Sequence, residues 1–310
     1  MPLPSDEVLL KTAQELFSQM QTLFGKHPGK RPAHSKGILL EGTFQPTPEA
    51  GKLSKATHFN SPSTPILVRF SNSTGIPTIP DNDSNADPRG MGIRFTLPNT
   101  SDGKRSHTDI VMHSTPFFPT RTGGEFLEVL HHLIAGTIGD YLPTHPAALA
   151  FVQAPKPAPV SYAKEEYFSV SAFKLIAEDG KVTFVRYKVA PALGVEFVDA
   201  EALKEKDAEY LQVDIKERIT SGPVSLKLLV QVAEEGDVTD DCTVHWPESR
   251  KVVELGTIEI NKVSDDNAAR QKTIIFDPIP RVPGVEPSDD PLLEMRAAIY
   301  LLSGRERRAA

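Results

Sequence analysis

The sequence predicts an α+β protein whose β-rich body closes as a barrel and carries helices. Three observations predict it. Apolar or alternating runs of strand length recur between residues 38 and 260. Glu178-Asp-Gly-Lys181 joins two of them as a hairpin turn of the Asp-Gly type. Helical patterns lie at both ends, and 27 prolines favour long ordered loops over a purely helical fold.

Residues 5–24 read as an amphipathic helix, an arm packed on the body. Ser5 can cap it, Asp6 and Glu7 suit its positive end, and Gly25 stops it. Strands follow at Ile38–Phe44, Pro65–Ser71 and Met91–Thr96, with a polar loop over 72–89. A short strand from Thr108 ends at Pro116, and a helix starts near Thr122. On that helix a solvated face is expected for His131 and His132. Residues 143–168 are rich in Pro and Ala and read as a connection. Tyr167–Ile176 alternates as one strand, and Val182–Val189 is its return. Residues 199–219 read as helix, while Val224–Val232 and Thr257–Ile260 are strands. A Pro-rich loop, Phe276–Pro287, delivers the last helix.

Bulk properties narrow the function classes. A net charge of −7 and a pI near 5.8 argue against a nucleic-acid surface. With one cysteine, Cys242, no intramolecular disulfide can form, which fits a reducing compartment. No membrane span and no basic-then-apolar leader are read, so a cytoplasmic location is expected. No internal repeat, phosphate loop, zinc spacing or Gly-x-Ser-x-Gly elbow is present.

The chemistry concentrates in Asp290–Arg308. Asp289 or Asp290 can cap a helix there, and Pro291 suits its first turn. Arg296 and Tyr300 stand four apart on one face, and Arg307, seven further on, returns to it. A cation beside a phenol favours the phenolate, a hard anionic ligand suited to ferric iron. A helix with a buried tyrosine and solvated arginines fits the same residues.

Several stretches, in order along nearly the whole chain, together resemble the haem catalase superfamily. Arg31-x-x-His34-x-Lys-Gly37 resembles its distal histidine motif. Val68-Arg-Phe-Ser71 with Asp87-Pro-Arg-Gly90 resembles its distal strand and turn. Asp109-Ile-Val-x-x-x-Thr-Pro-x-Phe118 resembles the segment lining the haem. Phe173-Lys-Leu-Ile176, Asp179-Gly180 and Tyr187-Lys188 resemble its barrel hairpin. Phe276-Asp-Pro278, Pro283-Gly-x-Glu-Pro287 and Arg296-x-x-x-Tyr300 resemble its proximal approach. The size resembles the short catalase-related peroxidase branch, without the C-terminal helical domain of long catalases.

The resemblance implies one catalase-like, haem-binding domain over 1–310, an antiparallel β-barrel with surrounding helices. Residues 1–30 would be an N-terminal helical arm and 288–310 the proximal helix. Tyr300 would ligate the ferric iron of haem b, with Arg296 as partner of its phenolate. Arg31, Arg69 and Arg307 would hold the propionates, and Phe126 would pack on the macrocycle. His34 would be the acid–base group, oriented by Ser71. Two departures stand out: His113 where catalases carry Asn, and Ser73 where an apolar residue usually narrows the approach to iron. They shift the expected balance from catalase toward peroxidase chemistry, although an inward-packed His113 fits the sequence too.

The expected activity is a haem peroxidase acting in peroxide stress. It would reduce hydrogen peroxide or organic hydroperoxides with an external small-molecule electron donor, with weak catalase activity. Two alternatives stay open: hydroperoxide rearrangement of the allene oxide synthase kind, and haem binding or sensing without turnover. No nucleic-acid partner is expected, and a homo-oligomer is left open.

Overall fold

The computed structural model describes residues 3–310, so of the predicted arm over 1–30 the first two residues lie outside the described residues. The first helix, α1, spans Glu7–Phe24. Its cap is Asp6 rather than Ser5: the carboxylate accepts from the Val8 and Leu9 amides at 2.8 and 3.0 Å. Gly25, at φ 85°, ends it.

The body is antiparallel throughout. Strands β1 (Gly37–Pro46), β2 (Thr64–Ser71), β3 (Gly90–Leu97) and β4 (Ser106–His113) pair in sequence order. They are followed by β5 (Tyr167–Phe168), β6 (Phe173–Ile176), β7 (Val182–Pro191), β8 (Val224–Val232) and β9 (Val252–Val263). β5 and β6 lie end to end along one edge of β7, β8 lies on its other edge, and β9 returns to β1. An eight-strand barrel results, and β10 (Val285–Pro287) adds to β6. Closure leaves no long free edge on the central strands.

Alternation decides what each strand face does. Ile38 and Leu40, Ile66, Val68 and Phe70, then Met91, Ile93 and Phe95 point into the barrel and form one core with Leu226, Leu228 and Val230. Each fully buried Leu, Ile or Phe contributes about 1.5–3 kcal/mol, so this interior dominates stability. The other parity faces outward. Across β1 to β4, Gly37, Ser71, Gly90 and His113 are cross-strand partners in a single row. The next row is Leu39, Arg69, Gly92 and Val111. Of the residues singled out by sequence, Arg69, Ser71 and His113 therefore stand on the outside of the barrel wall.

Short helices α2 (Pro48–Leu53) and α3 (Thr57–Asn60) fill the β1–β2 connection. Helix α4 (Gly123–Ala135) begins with a capping box made by Thr122 and Glu125. The Pro- and Ala-rich stretch read as a connection holds α6 (Pro146–Gln153), just after α5 (Ile138–Tyr141). The helix expected over 199–219 is two, α7 (Ala200–Lys204) and α8 (Tyr210–Ser221). Helix α9 (Asn267–Thr273) precedes α10 (Pro291–Ala309), which Asp290 caps through the Leu292 amide. The arm does pack on the body: Ala13, Leu16 and Met20 of α1 meet Leu130 of α4 and Met295, Ala298 and Ile299 of α10. Among the described residues no helix is long and apolar enough to cross a membrane.

Candidate active site

Three segments distant in sequence meet above the outer face of β1–β4: the turn before β1, the start of α4, and α10. On α10, Arg296 Nε donates to Tyr300 Oη at 3.2 Å. Burial disfavours the Arg296 cation, but Tyr300, by charge and by hydrogen bond, with Asp290 and Cys242, raises its pKa overall. Phe126 of α4 and Tyr300 both pack against the Leu130–Met295–Ile299 cluster.

His34 sits immediately before β1 at φ 54°, a left-handed conformation that a side chain with a Cβ resists. Such strain costs on the order of 1–3 kcal/mol and persists only where the surroundings impose it. Here the His34 amide donates to the Ser73 carbonyl at 2.8 Å, and its carbonyl accepts from Arg69 Nη2 at 2.8 Å. The ring is held through Nδ1 by Ser71 Oγ at 3.1 Å. Gly90 gives both groups their room: a Cβ there would lie 2.6 Å from His34 Nδ1 and 2.6 Å from Ser71 Oγ. Burial, with Arg69 and Arg296 alongside, pulls the His34 imidazole down to about 4, so it is neutral at pH 7.

His113 closes the same row. The Thr115 amide donates to its Nδ1 at 3.2 Å, which places the proton of the neutral ring on Nε2. That Nε2–H is buried and has no hydrogen-bond partner among the described residues. Burial, with His34 and Arg296 nearby, pulls the ring down to about 3, so it stays an uncharged donor. Ser73 instead donates to the Asp87 carbonyl at 3.0 Å.

Arg31, Arg69 and Arg307 gather at one end of this space. Arg31 Nη2 and Arg307 Nη2 both donate to the Ile274 carbonyl, at 3.1 and 2.7 Å. Arg69 Nε donates to Gln271 Oε1 at 2.8 Å, and Arg307 Nη1 to Ser303 Oγ at 2.9 Å. No carboxylate lies within ion-pair distance of any of the three among the described residues. The cost appears in their acidities. Burial, then Arg69 and Arg307, draws Arg31 well below its ordinary value. Burial, then Arg307, brings Arg69 to about 9, and burial with Arg308 brings Arg307 to about 10.

The polar loop over 72–89 is locked from behind. Arg89, fully buried, bonds Asn72 Oδ1 and the Asp81 carbonyl, each at 2.7 Å, and Asp87 at 2.9 Å. Lys36 pairs with Asp81 at 2.8 Å. This buried network fixes Asn72, the residue between Ser71 and Ser73.

Residues 6–310 match the Catalase family. The chain belongs to the catalase family. It is 35% identical over 304 residues to a catalase-related peroxidase of Mycolicibacterium paratuberculosis, covering 96% of this chain and 95% of that protein. A catalase-related peroxidase of Synechococcus elongatus is 30% identical over 308 residues, covering 96% of this chain and 88% of that protein. Among solved structures, a fungal catalase superposes with a TM-score of 0.81 at 23% identity, covering 95% of this chain and 63% of that one. Catalase A of Saccharomyces cerevisiae gives 0.80 at 22% identity, covering 99% and 65%. The chain thus spans less than two thirds of either solved catalase, and the likeness shows the shared fold.

The catalase family is haem-dependent, and the residues here fit such a group. The buried Arg69 and Arg307 and the half-buried Arg31, with no carboxylate in ion-pair reach among the described residues, suit two propionates. The phenol paired with a guanidinium would suit ferric iron. Ser71 and His113 lie in one cross-strand row with His34 bonded to Ser71, and Arg296 and Tyr300 share one helix. Two supports escaped the sequence. Gln271 holds Arg69 and also donates to the Gly37 carbonyl at 3.0 Å, and the Ile274 carbonyl joins Arg31 to Arg307. A glutamine in a polar helix and a backbone oxygen carry no sequence signal.

Proposed function

We propose that the protein is a haem peroxidase, built as a single haem-binding domain, that reduces hydrogen peroxide or an organic hydroperoxide with an external donor and has weak catalase activity. One observation carries this reading. A neutral imidazole in a strained backbone and an unpartnered N–H donor share one buried neighbourhood with a guanidinium-held phenol and three uncompensated arginines.

Each residue then has a task. Tyr300 would ligate the iron of haem b through its oxygen, with Arg296 Nε as the hydrogen-bond partner of that oxygen. Arg31, Arg69 and Arg307 would hold the propionates, and Phe126 would pack on the ring. His34, unprotonated at pH 7, accepts the proton of an incoming H–O–O–R and delivers it to the departing oxygen, a shuttle worth about 10²–10⁴ in rate. Ser71 fixes the imidazole plane. His113 Nε2–H donates to a peroxide oxygen, a bond for which it has no partner among the described residues. Bound haem would supply the ferric iron that takes up two oxidising equivalents.

The test is an optical titration of the protein with hemin, followed by peroxide with and without a donor beside an oxygen electrode. One hemin per chain and donor oxidation outpacing oxygen release are expected. Lipid hydroperoxide consumed without any donor would replace this reading by rearrangement.

A further inference from the structure

A cleft of about 450 Å³ opens on the outer side of the arginine set. Its walls come from the turn before β1, from α8 and from α9. Lys30, Arg31, Lys216 and Lys272 line it. None of the four makes an ion pair among the described residues, and the single acidic residue on the wall, Glu209, is already bonded to Lys36 at 2.8 Å. With Arg31 assigned to a propionate, Lys30, Lys216 and Lys272 leave three uncompensated cations among the described residues in one concavity, on a chain of net charge −7. A low-dielectric cleft of one sign focuses its field and concentrates small ions of the other. The volume falls in the range of small-molecule sites, about 300–1,000 Å³.

The cleft is coupled to the candidate active site by shared residues. Arg31 belongs to both. Gln271, on the cleft wall, holds Arg69 Nε at 2.8 Å. Ser35 lines the wall too; its carbonyl accepts from Arg69 Nη2 at 3.2 Å, and its own hydroxyl is buried without a partner. A molecule seated there would lie against Arg31 and one side chain, Gln271, from Arg69.

We propose that this cleft binds a small organic anion, and that this anion is the one-electron donor of the peroxidase. The second part rests on the peroxidase reading above. The balance is simple. Each phenolic donor ArOH gives up one electron and one proton and leaves as ArO•. Two such losses supply the two electrons and two protons that convert ROOH to ROH and water.

The experiment compares 3-(4-hydroxyphenyl)propionate with its uncharged methyl ester, which carries the same oxidisable phenol. Binding to the haem-loaded protein is measured by calorimetry without peroxide, and steady-state oxidation is measured with it. Wild type should bind the carboxylate and favour it over the ester. In Lys216→Glu with Lys272→Glu, carboxylate binding should weaken roughly tenfold or more, with KM rising in parallel and kcat for the ester unchanged. Added salt should weaken carboxylate binding and spare the ester. Equal binding of both probes by wild type, or unchanged carboxylate binding in the double variant, would overturn the proposal. Carboxylate binding that depends on the lysines but is followed by no donor oxidation would overturn the donor assignment while leaving the anion site.

Discussion

Replacing Arg307 by Met separates a residue that holds the fold from one that awaits an anion. Arg307 is only 3% exposed, and its guanidinium donates to the Lys272 and Ile274 carbonyls and to Ser303 Oγ. Removing it forfeits three hydrogen bonds, at about 1 kcal/mol net each. The fall of its pKa to about 10 from an ordinary value of 12.5 means that holding the cation in place costs about 3 kcal/mol in the haem-free protein. Methionine fills similar volume with no charge. The two terms nearly cancel, so thermal unfolding of haem-free Arg307→Met should stay within about 2 kcal/mol of wild type. Haem binding has no such cancellation. A charge-assisted bond to a propionate is worth about 1.5–3 kcal/mol, so hemin should bind roughly 10- to 150-fold more weakly. The assay pairs calorimetric unfolding of the haem-free protein with a hemin titration. Stability collapsing by 4 kcal/mol or more while hemin affinity holds would refute the reasoning and return Arg307 to a structural role.

Three further outcomes follow from the same geometry. His34→Ala should slow the stopped-flow reaction with peroxide by about 10²–10⁴ with hemin affinity unchanged, and in wild type that rate should stay level from pH 7 to about 5 and fall as the imidazole protonates near 4. His113→Asn restores the residue catalases carry and should raise oxygen release relative to donor oxidation, only in part because Ser73 remains; an unchanged ratio removes His113 from the mechanism. His58 is buried against Phe59 and Phe95, and burial pulls its imidazole to about 3, so below its ordinary 6.5 the unfolded chain takes a proton that the folded one refuses. Stability contributed by its neutral form is thus full above about 6.5 and lost as pH falls toward 3, with about 3 kcal/mol gone by pH 4.5, and His58→Phe should recover it in thermal melts at that pH.

The barrel strands were legible because apolar residues alternate where one face is buried, as in Ile66, Val68 and Phe70. The run Tyr167–Ile176 alternates just as well, yet it breaks into β5 and β6 where Val170 turns to φ 54°. Between the two pieces residues 169–172 bulge opposite Arg186 and Tyr187, with Ser169 Oγ accepting from the Tyr187 amide at 3.0 Å and donating to the Ser171 carbonyl at 3.0 Å. Helix α9 went unread because Asn-Ala-Ala-Arg-Gln-Lys-Thr has no apolar stripe. Its stability comes from contacts to β1 and α10, for instance Asn267 Nδ2 donating to the Leu39 carbonyl at 3.2 Å. The Arg296–Tyr300 spacing could be read directly, since four residues close one helical turn. The meeting of Arg31, Arg69 and Arg307 could not, because no local rule relates residues so far apart; only the resemblance brought them together. His34's strain and the free Nε2–H of His113 depend on backbone angles and a neighbouring amide, which residue names do not record.

The central claim is that Tyr300, held by Arg296, is the iron ligand. The most direct measurement is the optical spectrum of hemin-loaded wild type beside Tyr300→Phe, which removes one oxygen and keeps the ring in its apolar cluster. A phenolate-to-iron charge-transfer band in wild type, its loss in the variant and faster loss of hemin on dialysis are predicted. A purified variant that keeps both the wild-type spectrum and its hemin would contradict the account.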